Sequence, residues 1–274
     1  MAGAQEHRLF QALEQADWAG ARAALTQGGA IPAADADGWT PVMWAARHGE
    51  QNLLDLCLPL PGAWQSINAR NNDGETALMI AAQEWDAPMM KRLLELGADP
   101  NLVHPCGSTA LLLFLASCPE QVDGDLIAAF VQAGVHLDAA DAQGTNALMF
   151  AADKLSRDTV GYVVDHMSPQ RFNDVNEQGH TALFFAAQRN LEMVRLLLEK
   201  GLKADVTAPD GMTSAHCAWN SGLPEVAGWL QQAVSHERAA QARHAAEQLE
   251  WFQQANADPE YEAPTGNQPM GPEG

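Results

Sequence analysis

Six copies of one short phrase run along the chain: Gly38-Trp39-Thr40-Pro41, Gly74-Glu75-Thr76-Ala77-Leu78, Gly107-Ser108-Thr109-Ala110-Leu111, Gly144-Thr145-Asn146-Ala147-Leu148, Gly179-His180-Thr181-Ala182-Leu183 and Gly211-Met212-Thr213-Ser214. Their glycines are 36, 33, 37, 35 and 32 residues apart. A period near 33 residues leaves no unit long enough to bury its own apolar surface, so each must cover its neighbour in an open row. This constraint overrides the one or two globular domains that 274 residues would otherwise suggest.

The unit is clearest between residues 71 and 101. Asn71-Asn72-Asp73-Gly74 is a turn whose glycine tolerates a left-handed backbone, and the Thr76 hydroxyl is placed to cap the helix that follows. Ala77, Leu78, Ile80, Ala81 and Ala82 make a first helix with small residues for close packing. A second helix is expected from about Pro88 to Leu96, with Met89, Met90, Leu93 and Leu94 as its apolar stripe and Gly97 as its stop. Residues 181–188 and 191–200 repeat the plan, closed by Gly201.

Asp73-Gly74-Glu75-Thr76-Ala77-Leu78 with Ala81-Ala82, followed by Leu93-Leu94-Glu95-Leu96-Gly97-Ala98-Asp99-Pro100-Asn101, resembles the ankyrin-repeat family. Gly179-His180-Thr181-Ala182-Leu183 with Ala186-Ala187, and Leu196-Leu197-Leu198-Glu199-Lys200-Gly201, is nearly as close. The resemblance covers roughly residues 5 to 232. It implies an all-α solenoid of stacked helix–turn–helix units with projecting β-hairpin turns, and a concave face of turn tips and first helices that binds another protein without catalysis. The array divides into an N-terminal capping helix pair (1–34), repeats (35–222), a C-terminal helix completing the last repeat and able to extend beyond it (223–257), and an acidic flexible tail (258–274).

Within that arrangement the residue between turn glycine and threonine is expected to point outward, which selects Trp39, Glu75, Ser108, Thr145, His180 and Met212. The ends of the first helices add Arg47, His48, Gln83, Glu84, Trp85, Asp153, Lys154, Gln188 and Arg189. Trp39 and Trp85 are the expected anchors, because aromatic area with a polar handle dominates many interfaces. The competing reading has Trp39 packing across its own turn and Trp85 filling space beside a lengthened link. Trp44 and Trp219 are read as packing residues. Several segments depart from the pattern: Pro59-Leu60-Pro61-Gly62-Ala63-Trp64 at the end of the second unit, the link around residues 118–125, and Ser168-Pro169.

The formal charge is −20, from 35 acidic residues against 15 Lys and Arg. Such a surface repels nucleic acid and anionic membrane and would steer a basic protein partner toward it. No basic-then-apolar N-terminal pattern or membrane-length apolar run occurs, and Cys57, Cys106, Cys118 and Cys217 lack disulfide or zinc spacing; a reducing cytoplasmic setting is the expectation. His104, Cys106, Cys118 and His136 have no compact ligand spacing, and a phosphate-binding glycine loop with its lysine is missing, so no cofactor, metal or catalytic residue is assigned. The functional expectation is a protein-binding module, monomeric in isolation, that sequesters or inhibits a basic or catalytic partner such as a bacterial toxin. The alternatives are a scaffold or translocated effector, and an enzyme with an unusual site in a repeat groove.

Overall fold

The computed structural model describes residues 2–28, 34–57, 66–118 and 124–257. The irregular exit at residues 59–64, residues 119–123 of the link and the tail at 258–274 lie outside them. Fourteen α-helices fall into seven consecutive pairs among the described residues. They are α1 (Ala2–Glu14) with α2 (Trp18–Gly28), α3 (Pro41–His48) with α4 (Gln51–Cys57), and α5 (Ala77–Gln83) with α6 (Ala87–Glu95). Then come α7 (Ala110–Ser117) with α8 (Gly124–Gln132), α9 (Ala147–Lys154) with α10 (Arg157–His166), α11 (Ala182–Ala187) with α12 (Leu191–Glu199), and α13 (Ser214–Asn220) with α14 (Pro224–Ala257).

Local chemistry starts each first helix where the repeat predicts. Oγ1 of Thr40, Thr76, Thr109 and Thr213, and Oδ1 of Asn146, each accept the backbone N–H three residues on, at 3.0–3.4 Å. These bonds satisfy amides that a helix start otherwise leaves without partners. Thr181 is the exception: its hydroxyl is buried and makes no hydrogen bond.

Packing runs along the array. Each first helix lies on the next, α1 on α3 and so on through α11 on α13. The second helices form a parallel row, including α6 on α8, α8 on α10, α10 on α12 and α12 on α14. The third and sixth residues after each cap face the following unit. Met43 and Ala46, Met79 and Ala82, Leu112 and Leu115, Met149 and Ala152, and Phe184 and Ala187 are all at most 2% exposed. The result is a ribbon of buried side chains from Leu9 to Leu230, with Phe184, Ala208 and Cys217 forming a second, small cluster. An array of this kind draws its stability from nearest-neighbour interfaces.

The expected β-hairpin turns are not found. Among the described residues there is no β-strand, and the only pairing of that kind is three isolated antiparallel bridges: Val103 with Thr109, Ala140 with Asn146, and Thr207 with Thr213. The physical reason is length. Each turn closes within five residues, as where the Asn71 N–H donates to the Glu75 carbonyl at 3.0 Å and the Gly74 N–H to the Asn71 carbonyl at 2.9 Å. The next residue is already the helix cap, so no chain remains to extend a ladder.

Trp219 also departs from expectation. It occupies the sixth position after the cap, where the five earlier units bury Ala or Leu, yet it is 67% exposed. No further first helix follows α13 among the described residues, so nothing covers the indole.

Candidate protein-binding face

The turns are rigid because side chains reproduce the backbone bonds. Asp35 Oδ1 accepts the N–H groups of Asp37 and Trp39 at 3.0 and 2.8 Å. Asp141 does the same for Gln143 and Thr145, and Asn176 for Gln178 and His180. Asn71 Oδ1 accepts from Glu75 N–H at 2.8 Å. Neighbouring turns are tied together: the Asn72 N–H donates to the Asp37 carbonyl at 3.0 Å, and the Glu177 N–H to that of Gln143 at 2.9 Å.

A second ladder, unread in the sequence, joins the loops that precede the turns. Asn68, Asn101, Asp138 and Asn173 each accept the backbone N–H of the following unit, at Asp99, His136, Ser168 and Lys203, at 2.7–3.0 Å. All four stand three residues before a turn's first residue. That periodic Asn/Asp was the available signal, and it locks the spacing between successive turns.

On this scaffold the first helices and turns form one face. At its N-terminal end Trp18, His48, Trp44 and Trp39 make a chain of ring contacts, with centroids 5.1, 5.9 and 4.9 Å apart. Trp44 Nε1–H donates to Asp35 Oδ2 at 3.2 Å, so this indole both packs and belongs to the face. Arg47 and Glu84 pair at 2.6 Å between the first two turn-bearing units. Glu75 is half-buried and accepts from Asn71 Nδ2 and Gln83 Nε2 at 2.9 and 3.0 Å.

Further along, Lys154 Nζ donates to the Ala116 carbonyl at 2.7 Å, with Asp153 half-buried beside it. His180 stacks on Phe184 at 4.8 Å and meets Phe185 edge-on at 6.2 Å. Gln188 Nε2–H donates to the Phe184 carbonyl at 3.3 Å. Arg189, Ser108 and Met212 are half-buried. Thr145 does not point outward; it is only 9% exposed, its short side chain covered by the stacked turns. Sequence reasoning missed the fourth residue after the cap, which puts half-buried Trp44, Leu113, Phe150 and Phe185 on four of the first helices, while Ile80 and Cys217 at the same position are buried. A large apolar residue recurring there was the signal.

Trp85 is the most unusual residue of the face. It is 52% exposed, with a left-handed backbone at φ 57°. It stands nine residues after its cap, where the first and last turn-bearing units have Gly49 and Gly222 at φ 68° and 74°. Its Nε1–H donates to Ser117 Oγ in the next unit at 3.0 Å. A bulky residue in this region of φ/ψ space carries strain that glycine would avoid.

The thiols offer little chemistry. Burial pushes Cys57 up to about 12, and raises Cys118 and Cys217 as well, so these three stay protonated at neutral pH. Cys106 is exposed. Among the described residues no group of three or more His, Cys, Asp or Glu is arranged to hold a metal ion, and no helix is long and apolar enough to cross a membrane.

Comparison with known proteins agrees with this architecture. The ankyrin-repeat family profile matches three times, over residues 9–104, 79–174 and 163–240. The chain is 30% identical over 184 residues to human neurogenic locus notch homolog protein 2, covering 62% of this chain and 7% of that protein. It is 29% identical over 189 residues to the chicken nuclear factor NF-kappa-B p105 subunit, covering 67% of this chain and 18% of that one. The chain thus spans less than a fifth of either relative. Among solved structures, an ankyrin repeat domain from Acinetobacter baumannii superposes with a TM-score of 0.57 at 25% identity, over 70% of this chain and 97% of that one. A chain from the complex of a Bdellovibrio bacteriovorus predatory endopeptidase with an immunity protein superposes with a TM-score of 0.56 at 23% identity, again over 70% and 97%, a likeness of fold alone. With its six copies of the turn phrase, its row of helix pairs among the described residues and a family match from residue 9 to residue 240, the chain belongs to the ankyrin-repeat family.

Proposed function

We propose that the face of turns and first helices binds another protein and acts by occupying it, as an inhibitor or sequestering partner. Protein–protein interaction is the general role that the family and the fold support. The observation that carries the reading to this face is Trp85: an exposed tryptophan held in a left-handed conformation that glycine adopts at the matching positions 49 and 222. Strain kept at an exposed aromatic residue favours a contact over a purely structural role. The ladders that fix the turns supply the rest, since a preorganised surface loses little conformational entropy on binding.

The inhibitory reading, and a basic surface on the partner, are supported by charge. Residues 1–184, which hold the first five copies of the repeat phrase, carry 23 acidic residues against nine Lys and Arg. A basic toxic or catalytic protein is therefore the partner class this face suits, with association that weakens as salt rises.

The test is affinity capture from the native cells, followed by reconstitution of the complex and hydrogen exchange on both components. Protection is expected in the turns and first helices of residues 34–118. Trp85→Gly is expected to leave stability unchanged or raise it by up to about 1 kcal/mol, while weakening the complex about tenfold or more. Protection confined to the second helices, or full affinity in both Trp85→Gly and Trp39→Ala, would overturn the assignment of the face.

A further inference from the structure

The Trp39–Trp44 end of the face has a more specific chemistry than general acidity, and this inference rests on the same face being the binding surface. The two rings lie 4.9 Å apart at 40°, half-buried against the core. Asp35 fixes both: Oδ2 accepts the Trp44 indole N–H and Oδ1 accepts the Trp39 backbone N–H. The aromatic surface is thus set before any partner arrives.

Carboxylates outnumber cations around it. Asp37 and Asp73 are exposed on the tips of adjacent turns, joined by the bond from the Asn72 N–H to the Asp37 carbonyl. Only two Lys or Arg residues occur in positions 34–57 and 66–86, and both are engaged. Arg47 pairs with Glu84, while Arg70 donates to the carbonyls of Gly74 and Val103 at 2.7 and 2.8 Å. An acidic or nucleic-acid ligand would meet repulsion here. A purely apolar one would strip water from carboxylates and return no hydrogen bond.

We propose that this end of the face seats an arginine side chain of the partner protein, its guanidinium plane laid on the Trp39 indole and its N–H groups turned toward Asp37 and Asp73. A guanidinium is planar, stacks on aromatic faces and sheds water more readily than an ammonium, so it satisfies ring and carboxylates together where lysine satisfies them one at a time. The chain contains its own example: the Arg195 guanidinium lies over the Trp229 ring, 5.3 Å from its centroid.

The test uses the full chain with three synthetic peptides alternating glycine with arginine, lysine or glutamine. Binding is followed by calorimetry and by the indole N–H resonances. The arginine peptide is expected to bind about threefold or more tighter than the lysine peptide, to shift the Trp39 indole resonance, and to weaken about tenfold in Trp39→Ala. Because Trp39 also packs, the exposed pair Asp37→Asn/Asp73→Asn serves as a second variant. It should keep the native circular dichroism spectrum and lose arginine-peptide affinity severalfold. Equal arginine and lysine affinities, an unmoved Trp39 resonance, or no arginine-peptide binding at millimolar concentration each overturns the proposal. Those results leave the binding-face reading standing if the captured partner still protects residues 34–118, so the two can fail separately.

Discussion

At Gly179 two separate demands meet in one residue. Its φ is +78°, and a Cβ there would sit 2.4 Å from Cδ of Pro209 on the next turn. Gly201 has φ +99° with nothing within 4 Å of the same added atom. Gly201→Ala should therefore cost about 1 kcal/mol, from backbone strain alone. Gly179→Ala should cost more than that by at least about 1 kcal/mol, because Pro209 must also move. Urea melts of the two variants check this, and equal losses would show that the turns separate freely. The helix caps allow a second comparison. Thr76→Ala removes a hydroxyl that accepts the Met79 N–H at 3.3 Å, and should cost about 1 kcal/mol. Thr181→Val removes a buried hydroxyl that has no partner, and should be neutral or stabilising by up to about 1 kcal/mol in the same melts.

Among the elements, α14 breaks the pattern of short helices. Its 34 residues extend about 50 Å, whereas the second helices before it have 7–11. Only its start is built into the stack, where Val226, Ala227 and Leu230 are buried. Glu237 makes the last strong tie, accepting the Ala204 N–H at 3.0 Å. From Arg238 to Glu247 every side chain is exposed. Ending the chain at Ala246 should leave the thermal midpoint within about 2 °C of the full chain, whereas Leu230→Ala should cost about 2–5 kcal/mol. A large loss on truncation would place the outer part of α14 within the folded core.

Over residues 1–246 the charge is lopsided. Residues 185–246 balance six carboxylates with six Lys or Arg, in contrast to the acidic excess of residues 1–184. Self-repulsion therefore falls on the N-terminal units, within reach of screening over about 10 Å at 0.1 M salt. Raising sodium chloride from 0.02 to about 0.5 M is expected to slow amide exchange more in residues 34–118 than in residues 185–234. A uniform gain along the array would mean that repulsion is not localised.

What could be read from the amino-acid order alone was whatever a unit does within its own 33 residues. The turn, the capping threonine, the helix pair and the stop at Gly97 or Gly201 rest on local backbone chemistry that recurs in each copy. Which residues stand between turn glycine and threonine, and where the first helices end, were legible for the same reason; whether those side chains emerge was not. Tertiary structure decided what depends on the neighbour. Whether Trp219 is covered, how far Thr145 emerges, and which Asn or Asp bridges to the following loop are set by the unit next door. So is the absence of hairpins, because the turns' hydrogen bonds close within five residues and then reach across to adjoining turns. A periodic sequence specifies its unit through local bonds, but burial in a stack is a property of two units at once.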